Sequence, residues 1–248
     1  MGLDKPFKDA ARIADEGIYL NEDRYDEPKE LFKEIGRLIK AYGLPHDFHI
    51  CDVGCATGEF LYYITTRFPK CIRTGLDISP NLVAAAKIAL PDTEFIVSSI
   101  TGKNSFRSRQ YDVMTCIGIL PCLDDPAPAL LNLLSATKQG GKIVVAGAYN
   151  EDPIDVVMRY RRADQDESPW ESGWNIPSCH TMEKILHESG YSLDLSWENF
   201  TMSFPIERRA DPMRSWTTQV GPEPHFTING ACQLLDMKIL QVSVHDVP

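Results

Sequence analysis

The sequence predicts an α/β fold whose mostly parallel sheet holds a ligand at the carboxyl ends of its strands. Three observations predict it. The first is the apolar run His49-Ile50-Cys51-Asp52-Val53, which breaks into the small-residue turn Gly54-Cys55-Ala56-Thr57-Gly58 and then the helix face Phe60-Leu61-Tyr62-Tyr63-Ile64. A strand, a tight turn and a helix in that order cradle a nucleotide: glycine lets the backbone approach, and the helix start offers free N–H groups. The second is Cys71–Ser79, a strand that ends in Asp77. A carboxylate there, roughly 20 residues beyond the turn, can accept hydrogen bonds from both hydroxyls of a ribose. The third is the alternation of strands and helices as far as Gly147, which calls for five parallel strands with right-handed crossovers.

Taken in order, the chain opens with helices over residues 7–42. Ala10–Ala14 is a short helical piece, and Gly17-Ile18-Tyr19-Leu20-Asn21 reads as a break. Pro28 marks a helix start, after which Leu31, Phe32, Ile35, Leu38 and Ile39 recur at spacings of three and four. Gly43 and Pro45 end that helix. The helix after the first strand covers about residues 58–68. Ser79 is the expected cap of an alanine-rich helix that starts after Pro80 and carries Leu82–Leu90. Glu94–Ile100 is the third strand and Tyr111–Gly118 the fourth. Leu130–Thr137 is a helix, and Gly140-Gly141 turns the chain into the fifth strand. Thr181–Ser189 reads as a helix capped by Ser178 or Thr181, Ser192–Phe200 alternates like an edge strand, and Met237–Val244 is a last strand. Residues of about 150–180 and 203–230 are variable, loop-like stretches rich in Trp, Pro and charge.

Composition narrows the function. With 248 residues, 43% of them hydrophobic, the chain can bury one sizeable core. A net charge of −10 argues against a nucleic-acid partner, because phosphate contacts need clustered Lys and Arg. The dense basic patch Arg159-Tyr160-Arg161-Arg162 reads as a solvated helix face, with an anion site as the alternative. The start is polar, so neither a signal peptide nor a membrane anchor is expected, and no apolar run is long enough to span a bilayer. Seven cysteines, most of them in apolar segments, read as reduced core residues of a cytoplasmic protein. Cys51 and Cys55 lack a second pair, so no zinc site is expected.

The turn G-C-A-T-G differs from the G-x-G-x-x-G of a dinucleotide site. Together with Asp52 it resembles the class I S-adenosylmethionine-dependent methyltransferases, whose first strand closes on an acid and a G-x-G-x-G turn, often loosened. Ala56 stands at the middle glycine. The stretch from Tyr111-Asp112-Val113-Met114 to Asp125-Pro126 and the Gly140-Gly141 turn resemble the same family, over roughly residues 47–150. The resemblance implies a Rossmann-like open sheet of seven strands, mostly parallel with an antiparallel last strand, helices on both faces, an N-terminal helical lid at residues 1–46 and a methyltransferase core at 47–248. It implies S-adenosylmethionine as cofactor, leaving as S-adenosylhomocysteine. The expected cofactor-binding residues are Asp52, Gly54, Cys55, Ala56, Gly58, Asp77, Ile78, Ser99, Ile100, Cys116, Ile117 and Tyr25. Ser99 stands where the family usually has an acid for the adenine amino group, a departure from the pattern. Cys116 is expected to be a buried strand residue rather than a nucleophile. No Asn-Pro-Pro-Tyr follows the fourth strand, so methylation of adenine or glutamine nitrogen is not expected.

Methyl transfer is an in-line displacement that an enzyme assists by positioning and by excluding water. An oxygen nucleophile often needs a base, and His225 and His180 are the candidates because they lie in the two variable stretches. Tyr19, Trp174, Trp216 and Arg209 are the candidate substrate contacts: the aromatic rings can stack on a sugar or aromatic ring, and the arginine can pair with phosphate or carboxylate. The expected reaction is O-methylation of a small sugar, nucleotide-linked or aromatic acceptor, with no metal, no membrane and a possible homodimer. The alternatives are a catalytically silent cofactor- or partner-binding protein of the same fold, an N-methyltransferase of a small amine, a nicotinamide oxidoreductase and a thiol or arsenic methyltransferase.

Overall fold

A computed structural model describes residues 13–22, 24–103, 105–106, 110–164, 166, 169–219 and 225–246. The side chain of His225 and the helical piece expected at residues 10–12 lie outside the described residues.

The elements in chain order are α1 (Ile13–Asn21), α2 (Glu30–Ala41), β1 (His49–Val53), α3 (Glu59–Arg67), β2 (Ile72–Asp77), α4 (Pro80–Ala89), β3 (Glu94–Val97), β4 (Tyr111–Ile117), α5 (Ala127–Ala136) and β5 (Thr137–Ala148). Then come β6 (Arg159–Tyr160), β7 (Glu171–Ser172), α6 (Cys179–His187), β8 (Ser192–Asn199), β9 (Trp216–Gln219), β10 (His225–Ile228), β11 (Leu234–Leu235) and β12 (Met237–Asp246). Seven strands form one sheet in the order β3-β2-β1-β4-β5-β12-β8. The first five are parallel, and β12 runs antiparallel to both β5 and β8, so a single reversed strand sits near one edge. The sheet is the one the sequence predicts.

Both faces of the sheet are covered, and the period of two in the strands shows how. On β5, Val144 and Ala146 face the side packed by Ile35 and Ile39 of α2, Leu61 and Ile64 of α3 and Val83 of α4. Ile143 and Val145 face the other side, against Leu130, Leu133 and Leu134 of α5 and Met182 and Leu186 of α6. Strands apolar on both faces are what a parallel sheet between two helical layers requires. The chain winds outward from β1 to β3 and then crosses back to β4, which pairs beside β1. That reversal leaves a crevice at the carboxyl ends of β1 and β4, the usual ligand position in open α/β sheets.

The structure corrects four expectations. The break at Gly17–Asn21 is helix: α1 runs through it, with Asn21 Nδ2 donating to the Gly17 carbonyl at 2.6 Å and the Glu22 N–H to Ile18 at 2.9 Å. An exposed glycine costs a helix about 1 kcal/mol, and docking of α1 on α4 offsets it. The Gly140-Gly141 turn lies inside β5, where the ladder to β4 slips between Tyr111 and Val113. The basic patch at Arg159 is a two-residue strand rather than a helix, and Arg159 pairs with Asp124. The stretch 203–230 contains β9 and β10, two strands of the three-stranded sheet β11-β10-β9. Ser178, not Thr181, caps α6, accepting from the Thr181 N–H at 3.1 Å.

Candidate active site

A cavity of about 360 Å³ opens at the carboxyl ends of β1, β2 and β4, with Asp15, Glu16 and Tyr19 of α1 on one wall. Its position follows from local chemistry at the end of β1. The N–H groups of Gly54 and Cys55 both donate to the Leu76 carbonyl, at 2.7 and 3.1 Å, which draws the turn across β2. A Cβ on Gly54 would stand 2.1 Å from Ile119 Cδ1, so only glycine lets the turn pass under the segment after β4. Ala56 takes the left-handed conformation, with φ of 46°, at the position that resembles a family glycine. That twist aims its N–H at Asp77 Oδ2, 2.9 Å away.

Asp77 ends β2 with its second oxygen accepting from the Ser79 N–H at 2.9 Å. Each carboxylate oxygen carries two lone pairs, so amide bonds on this side leave acceptor capacity toward the cavity. Burial raises the Asp77 carboxyl pKa, and the bonds from Ser79, Ala56 and Ile78 oppose it. Ser79 is the cap of α4, as its sequence position predicts, accepting from the Leu82 N–H at 3.2 Å. Its hydroxyl also donates to Glu16 Oε2 at 2.7 Å, and Asn81 donates to Glu16 Oε1 at 2.7 Å, so one carboxylate pins α1 over the cavity. Beside Asp77 the side chain of Ile78 is 42% exposed and lines the cavity, an apolar surface suited to a flat ring. Ser99, Ile100 and Ile117 complete that wall; the Ser99 hydroxyl lies 3.0 Å from that of Thr101 and accepts its N–H.

Five residues expected at the cofactor stand behind the lining instead. Asp52 is buried, accepts the Thr115 hydroxyl across the β1–β4 ladder at 2.7 Å, and has its pKa pushed up to about 7, chiefly by burial. Cys55 and Cys116 are buried, and burial pushes both thiols well up, so neither is a nucleophile. Gly58 is the N-cap of α3. Tyr25 donates its hydroxyl to the Thr57 carbonyl at 2.8 Å and stacks edge-on against Tyr62, which clamps the N-terminal segment onto the turn.

Of the expected substrate-side residues, the structure brings Tyr19 to the cavity and leaves the others outside its lining. Trp174 has a left-handed backbone, with φ of 58°, and its carbonyl accepts from Gln233. Trp216 opens β9 with Arg208 stacked 4.7 Å from its ring. Arg209 donates to Glu22 at 2.6 Å. His180 is exposed in the first turn of α6, and the described backbone of His225 pairs with Gln219. The cavity contacts of Asp15 and Glu16 escaped sequence reasoning because a helix break was expected just after them. Gly118, Ile119 and Cys122 carried a signal, since they directly follow β4. Asn175 carried none: it accepts from the Met158 N–H and donates to the Leu123 carbonyl, both at 2.8 Å, tying the second half of the chain to the cavity rim. Among the described residues, no group of three or more His, Cys, Asp or Glu could hold a metal ion. No helix among them is long and apolar enough to cross a membrane.

The fold and the placement of this cavity define a class I S-adenosylmethionine-dependent methyltransferase. The chain belongs to the methyltransferase-domain family, whose model matches residues 45–196. It is similar to the trans-aconitate 2-methyltransferases of Escherichia coli, at 26% identity over 183 residues, covering 71% of this chain and 68% of that of strain 55989. Among solved structures, an S-adenosylmethionine-dependent methyltransferase from Clostridium acetobutylicum superposes with a TM-score of 0.56 at 13% identity, covering 94% of this chain and 97% of the other. A TehB-like methyltransferase from Corynebacterium glutamicum gives 0.57 at 15% identity, covering 94% and 100%. These two likenesses establish the fold. The residues present fit an adenosine-bearing cofactor: the Gly54 and Ala56 turn brings bare backbone to the cavity wall, Asp77 offers acceptors, and Ile78 offers an apolar face.

Proposed function

We propose that the protein methylates an oxygen of a small acid, with Asp77 holding the cofactor ribose, Gly54 and Ala56 the backbone cradle, and Ile78, Ser99 and Ile100 the adenine. Glu16 and Tyr19 of α1 close the cavity as a lid. The cofactor supplies, when bound, a methyl group on a positively charged sulfur; an acceptor oxygen lone pair forms the new C–O bond as the C–S bond breaks with its electrons to sulfur. The chain's own residues hold both partners in line and keep water out.

The observation that carries the acid reading is the lining of the cavity, which among the described residues contains no histidine. An alcohol or phenol acceptor calls for a base, whereas a carboxylate is ionised near neutral pH and needs none. Two of the three carboxylates on the lining are already engaged as structural acceptors: Glu16 is held by Ser79 and Asn81, and Asp77 by backbone amides, with Asp15 the third. Trans-aconitate, named in the relatives, is a small tricarboxylate, which supports an acid over the sugar, nucleotide-linked or aromatic acceptors that the loop composition suggests. The test has two stages. Calorimetric titration of S-adenosylmethionine and S-adenosylhomocysteine should give micromolar binding, and Asp77→Ala should weaken it about 100-fold or more. Mass spectrometry of acceptor mixtures should then show a 14-dalton-type methyl gain, roughly one CH₂ per transfer, on small carboxylic acids. Absence of binding by either ligand would sink the cofactor assignment, and methylation of sugars or phenols alone would sink the acid.

A further inference from the structure

The cavity wall made by Tyr19 backs onto a concentration of positive charge that is unusual in so acidic a chain. Lys29 Nζ stands 5.3 Å from the centre of the Tyr19 ring and the Arg214 guanidinium 5.9 Å. Arg214 and Arg209 both donate to Oε1 of Glu22, at 2.8 and 2.6 Å, while Arg24 reaches Oε2 at 3.3 Å. Four cations therefore gather where the facing carboxylates are Glu22 and Glu59, with Asp15 near Tyr19. The chain carries a net charge of −10, so this is a local inversion of sign.

Two further observations show the cluster to be under-satisfied. The carboxylate nearest to Lys29, Glu59 Oε2, lies 3.8 Å away, beyond hydrogen-bond length. Burial pushes the Lys29 ammonium pKa down despite Glu59 and Glu22, with Arg214 and Arg24 adding to the effect. An additional anion beside Lys29 and Arg214 would supply the missing counter-charge. The shape of that anion is shown by Glu22: it directly follows α1, its side chain is only 11% exposed, and the arginines already grip its carboxylate. Burial raises the Glu22 pKa, but Arg214, Lys29 and Arg24 outweigh it and the net shift is downward, so Glu22 sits there ionised.

We propose that Arg214, Lys29 and Tyr19 form a carboxylate-binding subsite for the acceptor, and that Glu22 occupies its arginines in the ligand-free protein as an internal stand-in. An acceptor with at least two carboxylates anchors one on this subsite and presents another to the cavity. The inference deepens the acid reading and rests on it, so the test separates the two.

Citrate is titrated calorimetrically, at constant ionic strength, into the full chain saturated with S-adenosylhomocysteine. Wild type binds citrate, and Glu22→Gln, which removes the competing charge, binds it about tenfold more tightly. Arg214→Gln and Lys29→Met each weaken it about tenfold or more while the affinity for S-adenosylhomocysteine stays within about twofold. Lys29→Met keeps the subsite testable if loss of Arg214 unfolds the segment, since Lys29 makes none of the Glu22 hydrogen bonds. Citrate binding that is unchanged or weaker in Glu22→Gln overturns the stand-in. Equal affinity for inorganic phosphate overturns the carboxylate assignment. Absence of citrate binding in both wild type and Glu22→Gln, with S-adenosylhomocysteine still bound, overturns the subsite and leaves the cofactor reading intact.

Discussion

Residues 49–148 and residues 150–230 are built by different means. In the first region, five parallel strands bury both faces, and the cavity is shaped by backbone: the Gly54 turn, the Ala56 amide on Asp77 and the strand ends beneath them. In the second, apart from the eight-residue edge strand β8, the strands are two to four residues long and the chain is held largely by side chains. Asn175 clasps Leu123, Gln233 clasps Trp174, and Arg209 and Arg214 reach across the sequence to Glu22. Backbone-held structure is encoded by neighbours in sequence and tolerates side-chain change. Side-chain-held structure can be remodelled one contact at a time without disturbing the cavity walls.

Three substitutions press on that contrast. Gly54→Val strikes the backbone-held half: a left-handed φ of 74° and a Cβ driven onto Ile119 should together cost about 3–5 kcal/mol. Denaturant unfolding should show that loss, and S-adenosylhomocysteine binding should vanish with it. If Gly54→Val unfolds at the wild-type midpoint, the turn is less constrained than its packing says.

The second concerns Asp52, buried in the same half. Its folded pKa of about 7 lies above the ordinary 3.8, so its contribution to stability is fully present below pH 3.8 and is lost as pH rises through 7. The span corresponds to a ceiling of about 4 kcal/mol, before relaxation reduces it. Asp52→Asn keeps an acceptor for Thr115 and removes the titration. Unfolding midpoints measured from pH 4 to 8 on the cofactor-free protein should fall less steeply in the variant than in wild type. Parallel pH profiles would show that Asp52 does not carry the buried charge.

The third is the smallest. Asn175→Ala removes side-chain bonds between the second half and the cavity rim, at a cost of about 1–3 kcal/mol for the buried groups left unpaired. Acceptor affinity should fall while that for S-adenosylhomocysteine holds. A matching loss of both would merge the two halves into one cooperative unit.

The succession of strands and helices, the glycine turn, the acid at the end of β2 and the Ser79 cap were legible in the sequence, because each depends on residues within one turn or on a period of two or 3.6. Reading failed where tertiary contact overrides local preference. Gly17 looks like a break in isolation, yet α1 stays helical because Glu16 is bound by Ser79 and Asn81. Cys55 and Cys116 stand next to cavity residues in sequence but point into the core, Cys116 by alternation along β4 and Cys55 from the turn after β1. His180 and Trp174 carry attractive chemistry, and nothing local tells that their side chains stand outside the cavity lining.

By itself, the sequence determined the five parallel strands and the cradle where the first one ends, since these follow from hydrophobic period and from small residues at a turn; the seven-stranded sheet and the methyltransferase class came through its resemblance to a family. Only the tertiary structure decided which side chains line the cavity and which charges gather behind it. Tyr19, Lys29 and Glu22 meet Arg209 and Arg214 from far along the chain, Glu22 across separations of 187 and 192 residues. No local pattern encodes such a meeting, because its energy comes from charges brought together by the fold.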